Sequence, residues 1–109
     1  MANAYKVLAQ ANPPATTDTD IYTVPGDTEV VISTIIICNQ DADSATYDIM
    51  VRPNNETLDP KHYLAKNVLV GGADSTTLTL GITMDAADKL TVNPSSTTLS
   101  FNVFGSEIS

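Results

Sequence analysis

Thr28-Glu29-Val30-Val31-Ile32-Ser33-Thr34-Ile35-Ile36-Ile37-Cys38-Asn39-Gln40 is an apolar run dominated by β-branched residues. A strand on a two-layer sandwich alternates, apolar inward and polar outward. A strict period of two places Val30, Ile32, Ile36 and Cys38 on one face and Val31, Ile35 and Ile37 on the other. Both faces are apolar, so one is expected to meet a core and the other requires a cover of its own.

The same period governs the rest of the chain. Leu78, Leu80, Ile82 and Met84 alternate with Thr77, Thr79, Gly81 and Thr83. Leu99, Phe101 and Val103 alternate with Ser100 and Asn102, and Tyr47, Ile49 and Val51 with Asp48 and Arg52. Abundant Thr and Val suit a pleated surface and disfavour helix. Turn signals separate these runs at Pro25-Gly26-Asp27, Asp41-Ala42-Asp43, Pro53-Asn54-Asn55, Gly71–Asp74, Asp85–Asp88 and Asn93–Ser96. The pattern predicts an all-β antiparallel sandwich of seven or eight strands, with immunoglobulin-like and jelly-roll windings both open. Residues 21–109 are expected to form the sandwich. Residues 1–20, with Tyr5–Ala9 as a short edge strand and Pro13-Pro14 favouring extended chain, are expected to form either an arm reaching a neighbouring subunit or a frayed terminus plus a first strand.

A chain of 109 residues is one domain and can bury a modest core without disulfides or metal. Its single cysteine, Cys38, permits no internal disulfide. No basic region followed by an apolar run opens the chain, so no secretory signal is expected, and no stretch has the length of a membrane span. The formal net charge is −8, and the five bases Lys6, Arg52, Lys61, Lys66 and Lys89 are scattered. Neutralising phosphates takes clustered bases, so nucleic acid is not an expected partner.

The residues offer little to catalysis. His62 is the only histidine, and no Gly-x-Ser-x-Gly elbow supplies a nucleophile. The acid pairs Asp18/Asp20, Asp41/Asp43 and Asp85/Asp88 lack the full calcium-loop series, and aspartate is in any case a preferred turn residue. Asn55-Glu56-Thr57 fits a glycosylation acceptor only in a secreted protein, and Gly71-Gly72 is followed by neither lysine nor helix. No enzyme, cofactor or metal site is expected.

One resemblance spans nearly the whole chain. It rests on Ile21-Tyr22-Thr23-Val24-Pro25, Val30–Ile35 with Cys38-Asn39, and Tyr47–Val51. In the second half it rests on Lys61–Ala65, Leu78–Thr83, Asp88–Val92, Leu99-Ser100-Phe101 and Phe104–Ile108. This order resembles small virion structural proteins of tailed bacteriophages, cyanophages among them. The resemblance implies a non-enzymatic β-sandwich made in the host cytoplasm and incorporated into the particle. Head decoration (cement) and neck or tail positions are both open to it, and it carries no catalytic residue.

With this family in view, Val31, Ile35 and Ile37 are expected to meet a second subunit of a homo-oligomer. Tyr5, Val7 and Leu8 are expected to serve strand exchange or docking on a major capsid protein or another virion protein. The alternative cover for the second face is a twist across both sheets, or the Pro-Pro arm. A sugar-binding module is the competing function, with Tyr22, Tyr47 and Tyr63 as its candidate aromatics.

Overall fold

The computed structural model describes residues 3–108, Asn3 and Leu80 by their backbone alone. Eight strands account for most of it: β1 (Asn3–Ala11), β2 (Thr19–Thr23), β3 (Glu29–Asn39), β4 (Ala45–Arg52), β5 (Tyr63–Val70), β6 (Ser75–Met84), β7 (Lys89–Pro94) and β8 (Leu99–Ile108). They form two four-stranded antiparallel sheets, in the order β1-β8-β3-β6 and β2-β7-β4-β5.

The pairs β1/β8, β2/β7, β3/β6 and β4/β5 are those of one long hairpin closing at the β4–β5 connection. Rolling that hairpin brings β8 beside β3 and β7 beside β4. Every connection except β4–β5 therefore crosses from one sheet to the other. This is the eight-stranded jelly roll, which settles the winding that strand spacing left open. Alternation reports which face a residue occupies and says nothing about which strand lies beside it.

The core lies between the sheets. Val30, Ile32, Ile35, Ile37, Leu99, Phe101 and Val103 come from one sheet, and Tyr47, Ile49, Val70, Leu90 and Val92 from the other. Tyr47 and Phe101 meet edge to face, with ring centroids 6.3 Å apart at 82°, a geometry that aromatic quadrupoles favour.

Two expectations need correction here. Ile35 and Ile37 are 0 % exposed and lie in this core with Val30 and Ile32. The reason is a bulge: Ile32 pairs with Gly105 and Thr34 with Phe104, so Ser33 is an extra residue. An extra residue resets the alternation, so even-numbered residues face inward before it and odd-numbered residues after it. The outer face of β3 carries Val31, Ile36 and Cys38, all half-buried. The second correction concerns residues 3–20: the edge strand expected at Tyr5–Ala9 is present within β1, and only the arm is replaced. β1 is spent on the chain's own sheet, paired along its length with β8, and β2 begins at Thr19. Between them, the Asn12 amide donates to the Thr97 and Leu99 carbonyls and the Thr16 N–H to the Pro94 carbonyl. This segment is fastened to the sandwich rather than extended as a separate arm.

Asn39 is the polar hub at one end of the core. Its Nδ2 donates to the carbonyls of Asp43, Val70 and Gly71, at 2.8, 3.4 and 3.3 Å. Its Oδ1 accepts from the Asp41 N–H and the Thr98 hydroxyl, at 3.1 and 3.0 Å. Three loops are thereby tied to one buried side chain. Asn39→Ala is expected to cost about 1–3 kcal/mol, the usual penalty for stranding buried polar partners. Asn39→Asp should cost more, because it turns an acceptor against three carbonyls. Urea midpoints of the two variants check the order.

Candidate interaction surface

The bulges that reset β3 also shape the outside of its sheet. Leu8 is the extra residue of β1, falling between the Val7–Phe104 and Ala9–Val103 pairs. Across β3, the pairing with β6 slips between Ile32–Ile82 and Thr34–Thr79. The irregularities thus line up across the sheet within about one residue of Phe104, where bulges bend strands and increase their twist. Outside this line lies an open groove between β1, β8 and β3, whose apolar lining is Tyr5, Val7, Val31, Phe104 and Ile108. Tyr5 is 84 % exposed and Val7 47 %.

Gly105 makes the close packing behind the groove possible. A Cβ there would stand 2.2 Å from the Val31 carbonyl oxygen and 3.0 Å from Leu8 Cδ1. Leu8 accordingly packs toward the core instead of standing out with Tyr5 and Val7. Of the six residues expected at an interface, the structure brings Tyr5, Val7 and Val31 together in the groove, turns Leu8 inward, and buries Ile35 and Ile37. Phe104 and Ile108 complete the surface. Phe104 falls at a position where β8 otherwise carries Ser100 and Asn102, and that break in the alternation was its sequence signal.

A charged cluster closes the sandwich beside the groove. Lys6 Nζ lies 2.7 Å from Glu107 Oε1, and the Tyr22 hydroxyl donates to Glu107 Oε2. The bonds from Lys6 and Tyr22 hold the Glu107 carboxyl below the usual range, while burial and then Glu107 push the Tyr22 phenol up. A depressed carboxyl stabilises the fold above the ordinary glutamate range, and that stabilisation is lost as pH falls through the depressed value. Glu107→Gln is therefore expected to flatten part of the acid limb of stability and to speed hydrogen exchange in β1. Stability measured against pH for the variant and the parent checks both the sign and the window.

The second sheet carries charged groups that are bonded within the chain. Asp20 accepts from Arg52 Nη2 at 2.7 Å and from the Thr91 hydroxyl at 2.6 Å. Burial pushes its carboxyl up, and these two bonds, with the guanidinium charge, outweigh burial and hold it low. Asp48 accepts from the Asn67 N–H and from Lys66, whose Nζ stands 5.0 Å above the Tyr63 ring. Asp48 in turn pushes the Lys66 ammonium up. The remaining exposed large apolar residues, Leu64, Val68 and Leu69, sit on edge strand β5. That edge is blunted by two register shifts and by Asn67 at a φ of 53°, devices that oppose strand addition.

The other candidate residues fall into structural roles. His62 is buried: its Nδ1 accepts from the Asp59 N–H, leaving Nε2 to face Glu56 Oε1 at 3.2 Å. It pins the β4–β5 connection. Among the sugar-site candidates, Tyr47 lies in the core, Tyr22 is turned onto Glu107, and Tyr63 alone stands under a lysine at the surface. Asp41, Asp74 and Asp85 accept from the N–H of the residue that follows each, and Asp88 from those of Asn54 and Asp85. Among the described residues, no three potential metal ligands converge. No known family model matches the chain, and no characterised protein matches it significantly.

Proposed function

We propose that this chain is a non-enzymatic structural subunit of a tailed-phage particle, of the head-decoration kind, docked through the outer face of the β1-β8-β3 sheet. The observation that carries the reading is the groove lined by Tyr5, Val7, Val31, Phe104 and Ile108, an apolar surface on a chain of net charge −8. Contiguous apolar surface of this kind marks interaction sites on soluble domains. Full covering of one such side chain contributes on the order of 1.5–3 kcal/mol. A lattice of identical subunits would multiply that modest energy and oppose expansion of the shell. The jelly roll is compatible with this role but hosts many others, so the fold alone is not the argument. Docking on the major capsid protein replaces the self-interface expected of Ile35 and Ile37, which their own core occupies.

Quantitative mass spectrometry of purified particles tests the reading. A copy number in simple proportion to the major capsid protein is the expected result. A handful of copies would move the chain to the neck or tail, and its absence from particles would overturn the reading.

A further inference from the structure

Charge decides which partner can cover the groove. Among the described residues, four of the five bases are in ion pairs within the chain: Lys6–Glu107, Arg52–Asp20, Lys61–Glu56 and Lys66–Asp48. The fifth, Lys89, is half-buried and donates to the Thr23 hydroxyl. Removing Glu107, Asp20, Glu56 and Asp48 from the thirteen acids leaves nine with no base beside them in an ion pair. Three of those nine rim the groove. Val31 and Ile108, which line it, also line an adjoining depression that holds Glu29, Asp85 and Asp88. The carboxylates of Asp85 and Asp88 accept from backbone N–H groups, which leaves their charge uncompensated.

A second copy of the chain would bring to this rim nine acids outside any ion pair against a single such base, the half-buried Lys89. Like charges brought together across an interface cost affinity, and opposite charges steer and hold the correct partner. We infer that the groove and its acidic rim form one docking surface for a different protein, one that presents an apolar centre edged by lysine or arginine. The inference names the partner for the face used in the proposed function and rests on that use of the face. It excludes self-association through the same face.

The test uses the full chain and two short synthetic peptides, one alternating leucine with lysine and one alternating leucine with glutamate. Each is titrated into isotope-labelled protein and followed through amide chemical shifts, beside sedimentation velocity of the protein alone. The lysine peptide is expected to shift the amides of Tyr5, Val31, Ser106, Ile108 and Asp85, and to bind at least ~10-fold more weakly at about 0.5 M salt. Tyr5→Ser and Glu29→Gln, both at exposed positions, should each weaken it without unfolding the chain. The chain alone should sediment as a monomer. Equal binding of the glutamate peptide, shifts that map elsewhere, no shifts at all, or a dimer dispersed by Tyr5→Ser would each overturn the inference. Particle composition reads separately: a chain found in particles but indifferent to peptide charge fails here alone, and a charge-selective chain absent from particles fails only the virion reading.

Discussion

Ile35→Asp is expected to leave no folded protein. Ile35 has no exposed surface and packs between the sheets beside Ile37 and Val103. Even Ile→Ala at such a site costs about 2–5 kcal/mol, through lost burial and the cavity left behind. A carboxylate in the same place adds desolvation with no partner to offset it. A domain of this size has only about 5–15 kcal/mol of stability to lose. Val31→Asp, four residues away on the outer face, should fold and lose docking instead. Circular dichroism through a denaturant series distinguishes the two outcomes. A folded Ile35→Asp chain with unchanged stability would mean that the faces of β3 are assigned wrongly.

The second large effect is expected at glycines that fit for lack of space rather than for backbone angle. No glycine of the chain has a positive φ. A Cβ on Gly72 would stand 1.8 Å from the Ala42 carbonyl oxygen and 2.4 Å from its carbon. Both are backbone atoms, held where the Ala73 N–H donates to the Asp41 carbonyl at 2.6 Å. Gly72→Ala must therefore separate the β3–β4 and β5–β6 connections, beside the Asn39 hub. A cost of about 3 kcal/mol or more is expected, at the upper end of overpacking effects. Gly105→Ala meets the same obstacle from the Val31 carbonyl and should also displace Leu8, deforming the groove. By contrast, Gly81 has open space around its α-carbon, so Gly81→Ala should be nearly silent. Denaturant midpoints of the three variants test this ranking, and equal effects would refute it.

These two predictions also locate what the sequence could and could not convey. Strands were legible because period two and turn residues are local: the alternating sets from Tyr47 to Arg52 and from Thr77 to Met84 fall within β4 and β6. Facing was legible only up to a bulge. Ser33 gives no sign in the sequence that it will be skipped, because the slip is set by pairing with β8 and β6, strands more than forty residues away. One extra residue was enough to exchange Ile35 and Ile37 for Ile36 and Cys38 on the outer face. The groove was half legible for the same reason. Tyr5, Val7 and Val31 could be named, but their neighbours Phe104 and Ile108 depend on β1 and β3 flanking β8. The distribution of unpaired charge was hidden as well. Composition gives −8, whereas the pairing of Lys6, Arg52, Lys61 and Lys66 within the chain emerges only from the fold.

The most direct test of the account is hydroxyl-radical footprinting of the chain free and within intact particles, read at Tyr5 and at the β5 edge. Tyr5 and Leu69 are both well exposed in the free chain, at 84 % and 64 %. Docking through the β1-β8-β3 face predicts that labelling of Tyr5 falls steeply in the particle while that of Leu69 persists. Undiminished labelling of Tyr5, or protection of Leu64 and Leu69 in its place, would contradict it.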